Sequence, residues 1–202
     1  MKKSTIYLVR HAQSHPTTSI HHTDWPLSEI GKNQSVLLAK CLKELEIDLI
    51  LSSPYLRCIQ TIEPYLDNNK NFIIENDFRE RLISKEIIDG FYEVWYKSWE
   101  DFSYFLPGCE SSNEAQDRFV KALTKHEELN RGKTILISTH GNVIGLCLNW
   151  INEKYGRNEA ENLRNPDVLK LNVDDGIYTW DKEFNLNGIE NIATDYNETK
   201  VD

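Results

Sequence analysis

The sequence predicts an α/β fold: a three-layer α/β/α sandwich around a largely parallel central sheet, with a small inserted cap. Three observations predict it. Short apolar, β-branched runs alternate with longer amphipathic segments, the order expected of strands joined by crossover helices. Chemically distinctive residues follow three of those runs, Arg10-His11 and His140-Gly141 at the run's end and Arg57 within the first helical turn or so, as ligand-binding residues do in such folds. The 202 residues, 40% hydrophobic and 27% charged, suffice for one domain with a sizeable core.

Residues 5–9 are β-branched and apolar and form a first, buried strand. Residues 12–27 are polar, with two prolines, and predict a long loop. Ser28 caps a helix running to about Leu45, with Leu38, Cys41, Leu42 and Leu45 along one face. Residues 47–51 form a second strand. Ser53-Pro54 then opens a helix, a capping hydroxyl followed by proline at the first helical position. Asp67-Asn68-Asn69-Lys70-Asn71 predicts a turn into a third strand over 71–75. The stretch 83–107 is rich in aromatic residues without a clean period, and a cap insertion is expected over about 81–112. Helical spacing returns over 114–129 and closes at Asn130-Arg131-Gly132. Residues 134–138 form a strand and 141–151 a buried helix. Segments 168–173 and 176–180 predict a hairpin around Asp174-Asp175-Gly176. Residues 1–182 thus make one domain, and 183–202 a polar, loosely packed C-terminal tail.

A net charge of −9 argues against nucleic-acid or anionic-membrane partners, which need an extended basic surface. It leaves room for a small anion held by a few focused cations. No segment approaches the roughly 20 apolar residues that span a bilayer. The apolar run over 6–9 is too short for a signal-peptide core of about 7–15 residues. Cys41, Cys58, Cys109 and Cys147 are scattered, which favours a reducing, cytoplasmic setting over disulfides or zinc. His21-His22 lacks companion ligands in pattern, so no metal and no cofactor are expected.

If the strands are parallel, Arg10, His11, Arg57 and His140 emerge at one edge of the sheet. Two arginines and two histidines there suit a doubly charged oxyanion, since the guanidinium fork donates paired hydrogen bonds. Ser53 and nearby helix-terminal amides add donors. A neutral imidazole can attack phosphorus, and a second, protonated one can stabilise the equatorial oxygens. A carboxylic acid is still needed to protonate the leaving alcohol, and Asp77-Phe78-Arg79-Glu80-Arg81 supplies one after the third strand.

Six motifs carry a resemblance. Val9-Arg10-His11-Ala12-Gln13-Ser14 resembles the Arg-His-Gly signature of the histidine phosphatase superfamily, also called phosphoglycerate mutase-like. Pro26-Leu27-Ser28-Glu29-Ile30-Gly31-Lys32-Asn33-Gln34 is similar to its P-L-T-x-x-G-x-x-Q stretch, and Ser52-Ser53-Pro54-Tyr55-Leu56-Arg57-Cys58-Ile59-Gln60-Thr61 to its S-x-L-x-R-A-x-Q-T segment. Phe78-Arg79-Glu80-Arg81, Pro107-Gly108-Cys109-Glu110-Ser111 and Ser138-Thr139-His140-Gly141 resemble the acid region, the G-E-S turn and the S-H-G segment, in the family's order. The resemblance implies His11 as nucleophile, Arg10, Arg57 and His140 on the phosphoryl group, Glu80 as the acid, and no metal. It implies secondary contacts from Gln13, Ser14, Thr17 and the Gly141 amide. Glu86 is the alternative acid. Ala12 departs from the usual glycine and requires negative φ and room for a methyl group.

Between residues 81 and 110 only Arg81, Lys85 and Lys97 are basic, fewer cations than a bisphosphate would want. Hydrolysis of a small phosphorylated metabolite is therefore expected. The alternatives are mutase-type phosphoryl transfer and a non-catalytic phospho-ligand binding protein on the same fold. The aromatic segment over 91–105 reads equally as a substrate lid or as packing.

Overall fold

The computed structural model describes residues 3–66, 71–86 and 88–194. Among them six strands form one sheet in the order β3-β2-β4-β1-β5-β6. The four central and edge strands β1 (Ser4–Arg10), β2 (Leu49–Ser52), β3 (Phe72–Ile74) and β4 (Thr134–Thr139) run parallel. Strand β5 (Asp167–Asp174) pairs antiparallel with β1, and β6 (Ile177–Asp181) antiparallel with β5. The hairpin between them turns at Asp175-Gly176, both at positive φ, in keeping with the right-handed twist of the strands.

Alternation along the strands builds the three layers. Ile6, Leu8, Leu51, Ile135 and Ile137 face one way, into a core completed by Phe119 and Leu123 of α4 (Ser112–Leu129) and Ile144 and Leu148 of α5 (Gly141–Ile151). Tyr7, Val9, Ile50 and Leu136 face the other way. They meet Leu38 and Leu42 of α1 (Glu29–Leu42) and Ile62 of α2 (Leu56–Ile62). With both faces covered, the central strands need no polar side, which is why they read as continuous apolar runs.

The structure differs from the sequence reading in four places. Helix α2 starts at Leu56, two residues after Pro54, because the Ser53 hydroxyl is engaged elsewhere and Tyr55 takes the cap position. The aromatic stretch holds a regular helix, α3 (Phe91–Glu100), and a short α6 (Arg157–Asn162) follows α5. Trp99 and Phe102 pack against the first core, so these rings fix the segment to the body. The tail is not loose through 183–194: Leu186, Ile189 and Ile192 are buried in the second core, and the Gln34 Nε2 donates to the Ile192 carbonyl at 2.8 Å. Its polar residues mask three well-spaced apolar anchors. The Asp67-to-Lys70 part of the expected turn and residues 195–202 lie outside the described residues.

Candidate active site

Parallel register places the reacting groups. Arg10 stands opposite Thr139, and Ser52 opposite Ser138, so β1, β2 and β4 end at one level. The ladder continues one residue further, with the His11 amide on the Thr139 carbonyl at 3.1 Å and the Ser53 amide on the Ser138 carbonyl at 2.9 Å. His11, Ser53 and His140 therefore leave the sheet side by side, with the His11 and His140 rings 5.3 Å apart between centroids.

His11 is buried. Its Nδ1 lies 2.7 Å from the Ala12 carbonyl, which can only accept, so Nδ1 carries the proton and Nε2 presents a lone pair. The Arg57 Nε–H donates to that lone pair at 3.2 Å. Burial, then Arg57, then Arg10 hold the imidazole pKa well below 6.5, which keeps the ring neutral. Arg57 also donates through Nη1 to the His22 carbonyl at 2.8 Å, and Arg10 through Nη1 to the Leu163 carbonyl. Both guanidiniums are thus anchored beside the ring by hydrogen bonds to backbone carbonyls.

His140 is fully buried. Its Nε2 lies 2.8 Å from the Ser53 hydroxyl and 3.3 Å from the Cys58 sulfur. Burial, Arg57 and His11 lower its pKa well below 6.5 too, so in the free site it is neutral, and charging it requires a bound anion. Burial pushes the Cys58 thiol up to about 12, which makes it a packing group beside His140 and not a thiolate.

Glu80 reaches the same edge from the segment after β3. Its Oε1 accepts from the Arg81 and Val143 amides at 2.9 and 3.2 Å, and its Oε2 from the Asn142 amide at 3.2 Å. The carboxyl thus caps the N-terminus of α5, whose N-cap residue is His140. Arg118 of α4 holds the backbone beneath it, donating to the carbonyls of Asp77, Arg79 and Glu80 and gripping Glu110 at 2.6 and 2.7 Å. Glu86, the alternative acid, is exposed.

Residues 6–184 match the model of the histidine phosphatase superfamily, branch 1. The chain belongs to that superfamily. Among its relatives, the uncharacterized phosphatase PhoE of Bacillus subtilis is 29% identical over 168 residues, covering 82% of this chain and 84% of that one. A 2,3-bisphosphoglycerate-dependent phosphoglycerate mutase of Rhizobium etli is 29% identical over 163 residues, 70% and 77% of the two chains. The solved structure of a mycobacterial glucosyl-3-phosphoglycerate phosphatase superposes with a TM-score of 0.74 at 18% identity, covering 89% of this chain and 98% of that one. This histidine phosphatase superfamily member is a phosphatase.

Several motif residues of this superfamily member act on the backbone of the His11 loop. Thr61 Oγ1 accepts from the Ala12 amide at 2.9 Å, Gln34 Oε1 from the Gln13 amide at 2.9 Å, and Asn165 Nδ2 donates to the His11 carbonyl at 2.8 Å. Gln60 Oε1 accepts from the Leu27 amide at 2.8 Å. Gly31 is required because a Cβ there would meet the Gln13 carbonyl oxygen at 2.0 Å. Ala12 satisfies both conditions set by the sequence: its φ is not positive, and its methyl group is wholly buried without displacing the loop.

The secondary residues divide. The Gln13 carboxamide accepts from Ser28 Oγ at 2.6 Å, which turns it toward the head of α1. Ser14 forms a bridge with Leu27, and the Thr17 hydroxyl pairs with Ser19 at 2.9 Å on the loop surface. Gly141 abuts Arg10 directly, since a Cβ would lie 3.0 Å from its Nε and 3.1 Å from its Cζ. Replacing Gly141 with alanine should therefore displace the Arg10 clamp by a few tenths of an ångström and raise KM about tenfold, because small misplacements of binding groups are costly. Thermal stability should hold or rise, since alanine is the better helix former. Initial-rate kinetics and a melting curve on the one variant separate the two effects.

Sequence reasoning missed Asn142. Trp95 Nε1, a pure donor, bonds its Oδ1 at 3.1 Å and so fixes the orientation of the amide. The Nδ2 end is then buried with no hydrogen-bond partner among the described residues, while the Asn142 backbone amide bonds Glu80. The available signal was its place, a polar residue second in an otherwise apolar helix. A cleft of about 510 Å³ opens beside these groups, with His22, Tyr55, Arg79, Lys85 and Glu110 in its wall. The Tyr55 ring is shared, 5.0 Å from the His140 ring and 4.9 Å from the Arg57 guanidinium carbon. None of the aromatic residues over 91–105 lines the cleft, which favours packing over a lid as their role.

Among the described residues no three His, Cys, Asp or Glu side chains come together as metal ligands, and no helix is long and apolar enough to cross a membrane. The four cysteines are free thiols.

Proposed function

We propose that this enzyme hydrolyses phosphomonoesters through a covalent phosphohistidine on His11, without a metal, with Glu80 moving the proton. The observation that carries the reading is the state of His11: a neutral ring, its Nδ1 tied to the Ala12 carbonyl and its Nε2 lone pair turned to the Arg57 guanidinium. Phosphoryl oxygens outcompete a neutral nitrogen for that guanidinium, so binding frees the lone pair at the moment phosphorus is placed before it. The N–P bond forms as the ester P–O bond breaks, and the Glu80 carboxyl gives its proton to the departing oxygen. Arg10 and Arg57 hold the equatorial oxygens, the charge a metal would otherwise offset. His140, beside this dianion, takes up a proton and adds a further donor. In the second half, the Glu80 carboxylate removes a proton from water, water oxygen bonds phosphorus, and the N–P bond breaks to release inorganic phosphate.

Rapid quenching with a ³²P-labelled monoester should trap label on the protein that survives base and is lost in acid, the stability of a phosphoramidate. Label that survives acid and is lost in base would place the phosphoryl group on an oxygen and end the His11 reading. Hydrolysis predicts stoichiometric release of inorganic phosphate and no isomerisation of 3-phosphoglycerate. Isomerisation without release would make the enzyme a mutase.

A further inference from the structure

The nucleophile depends on where one proton sits. His11 can attack only with a lone pair on Nε2, so its ring proton has to stay on Nδ1, where the Ala12 carbonyl accepts it at 2.7 Å. That carbonyl belongs to the peptide unit joining Ala12 to Gln13. In a trans peptide the C=O and N–H point in opposite directions, so a group that holds the Gln13 N–H also aims the Ala12 oxygen. The holder is Gln34 of α1, whose Oε1 accepts from that N–H at 2.9 Å.

Gln34 is buried and fixed at its other end too. Its Nε2 donates to the carbonyls of Asn165 and Ile192, each at 2.8 Å, and to the Thr194 hydroxyl at 3.3 Å. Carbonyls only accept, so the amino end faces them and the oxygen faces Gln13; the amide cannot be turned over. Gly31, one turn earlier on α1, lacks the Cβ that would meet the Gln13 carbonyl oxygen at 2.0 Å, and this lets the helix come close enough for Gln34 to reach the loop. The result is a continuous run of amides: the His11 Nδ1–H on the Ala12 carbonyl, the Gln13 N–H on Gln34, and Gln34 on Asn165 and Ile192. Hydrogen bonds in such a run polarise one another, so the far end strengthens the bond that holds the His11 proton.

We propose that Gln34 is a positioning residue for the nucleophile: acting through the Ala12–Gln13 peptide, it keeps the His11 proton on Nδ1 and the reactive lone pair on Nε2. The proposal rests on the hydrolytic reading above. It also gives the segment at 192–194 a part in the chemistry, as the anchor of the Gln34 amino group.

The test reads the tautomer directly. Long-range ¹H–¹⁵N spectra of free enzyme labelled with ¹⁵N-histidine, with the His11 signals identified by their loss in His11→Ala, should show the Nδ1–H form in the wild type. Gln34→Met removes both ends of the amide at similar length, and its His11 signals should move to a mixture of tautomers. Release of p-nitrophenol in a single turnover should fall by about 10–100-fold, the scale seen when the partner that orients a histidine is lost. The inhibition constant of inorganic phosphate, which Arg10 and Arg57 hold, should stay within about threefold. Gln34→Asn keeps an amino group for Asn165 and Ile192 but ends one methylene short of Gln13. It should give the same mixture and the same loss, and it replaces Gln34→Met if that variant does not fold. In both, the acid limb of kcat/KM should remain below 6.5, because Arg57, Arg10 and His140 still face a buried ring. A pure Nδ1–H tautomer in the folded variants, or an unchanged rate, overturns the proposal. So does an acid limb raised to 6.5 with weakened phosphate binding, which would mean that the loop has opened and Gln34 is merely structural. The hydrolytic reading fails by results that do not involve Gln34, namely wild-type enzyme that releases no phosphate or carries label that survives acid.

Discussion

Replacing His11 with alanine is expected to reduce kcat on p-nitrophenyl phosphate by about 10⁴-fold or more, the scale seen when a covalent nucleophile is removed. No labelled phosphoenzyme should then accumulate. The loss should be this complete because no neighbour can substitute. His140 has its Nε2 occupied by the Ser53 hydroxyl, and the Cys58 thiol, pushed up to about 12, is not a thiolate at neutral pH. A variant that turns over at the wild-type rate would end the mechanism. The pH dependence follows from the same environment. Burial and two arginines lower the His11 pKa well below 6.5, so the nucleophilic, unprotonated form persists as pH falls past the point where a free imidazole is charged. Activity is lost only as pH falls through the lowered value. After correction for the substrate's own ionisation, the acid limb of kcat/KM should therefore lie below 6.5. A limb at or above that point would mean the ring is solvated and the burial argument is wrong.

Glu80→Gln carries the second large effect. Turnover of alkyl phosphates should fall by about 10²–10⁴-fold, the usual contribution of a positioned acid. Aryl phosphates, whose leaving groups need little protonation, should lose far less. The glutamine keeps a carbonyl oxygen for one of the α5 amides, but its NH₂ faces the other, so KM should rise modestly for both classes. Equal losses of kcat on alkyl and aryl substrates would show Glu80 to be a structural cap of α5 and not the acid. The geometry supports both uses of the group, and only the leaving-group comparison separates them.

Much of the candidate site was legible because Arg10, His11 and His140 stand at strand ends and Arg57 and Glu80 follow within about six residues, and strand ends are the easiest thing to read from an apolar run. Arg10, His11 and His140 needed only that rule. The Gly31 and Gln34 pattern was visible as a motif, though not its purpose: both serve the backbone at Gln13, 18 and 21 positions earlier in the chain. The partner of the Gln13 side chain was hidden for the same reason, since Ser28 becomes its neighbour only when the loop folds back. Asn142 looked like an ordinary helix residue until Trp95, from a helix the aromatic crowding had hidden, fixed one end of its amide. The start of α2 was misplaced because Ser53 is an excellent local cap that tertiary structure uses on His140 instead.

By itself the sequence determined the layers and the family, and it singled out the candidate reacting residues. Apolar runs long enough for strands, amphipathic segments long enough for helices, and a titratable or cationic residue after each run are local properties, written in periods of two and 3.6. Only the tertiary structure decided protonation, orientation and packing: that His11 is neutral and offers Nε2, that Lys85 and not the aromatic stretch marks the cleft wall, and that the polar segment 183–194 completes a core. Those outcomes depend on burial and on partners distant in the chain. Desolvation and hydrogen-bond competition act between groups that a linear reading cannot place side by side.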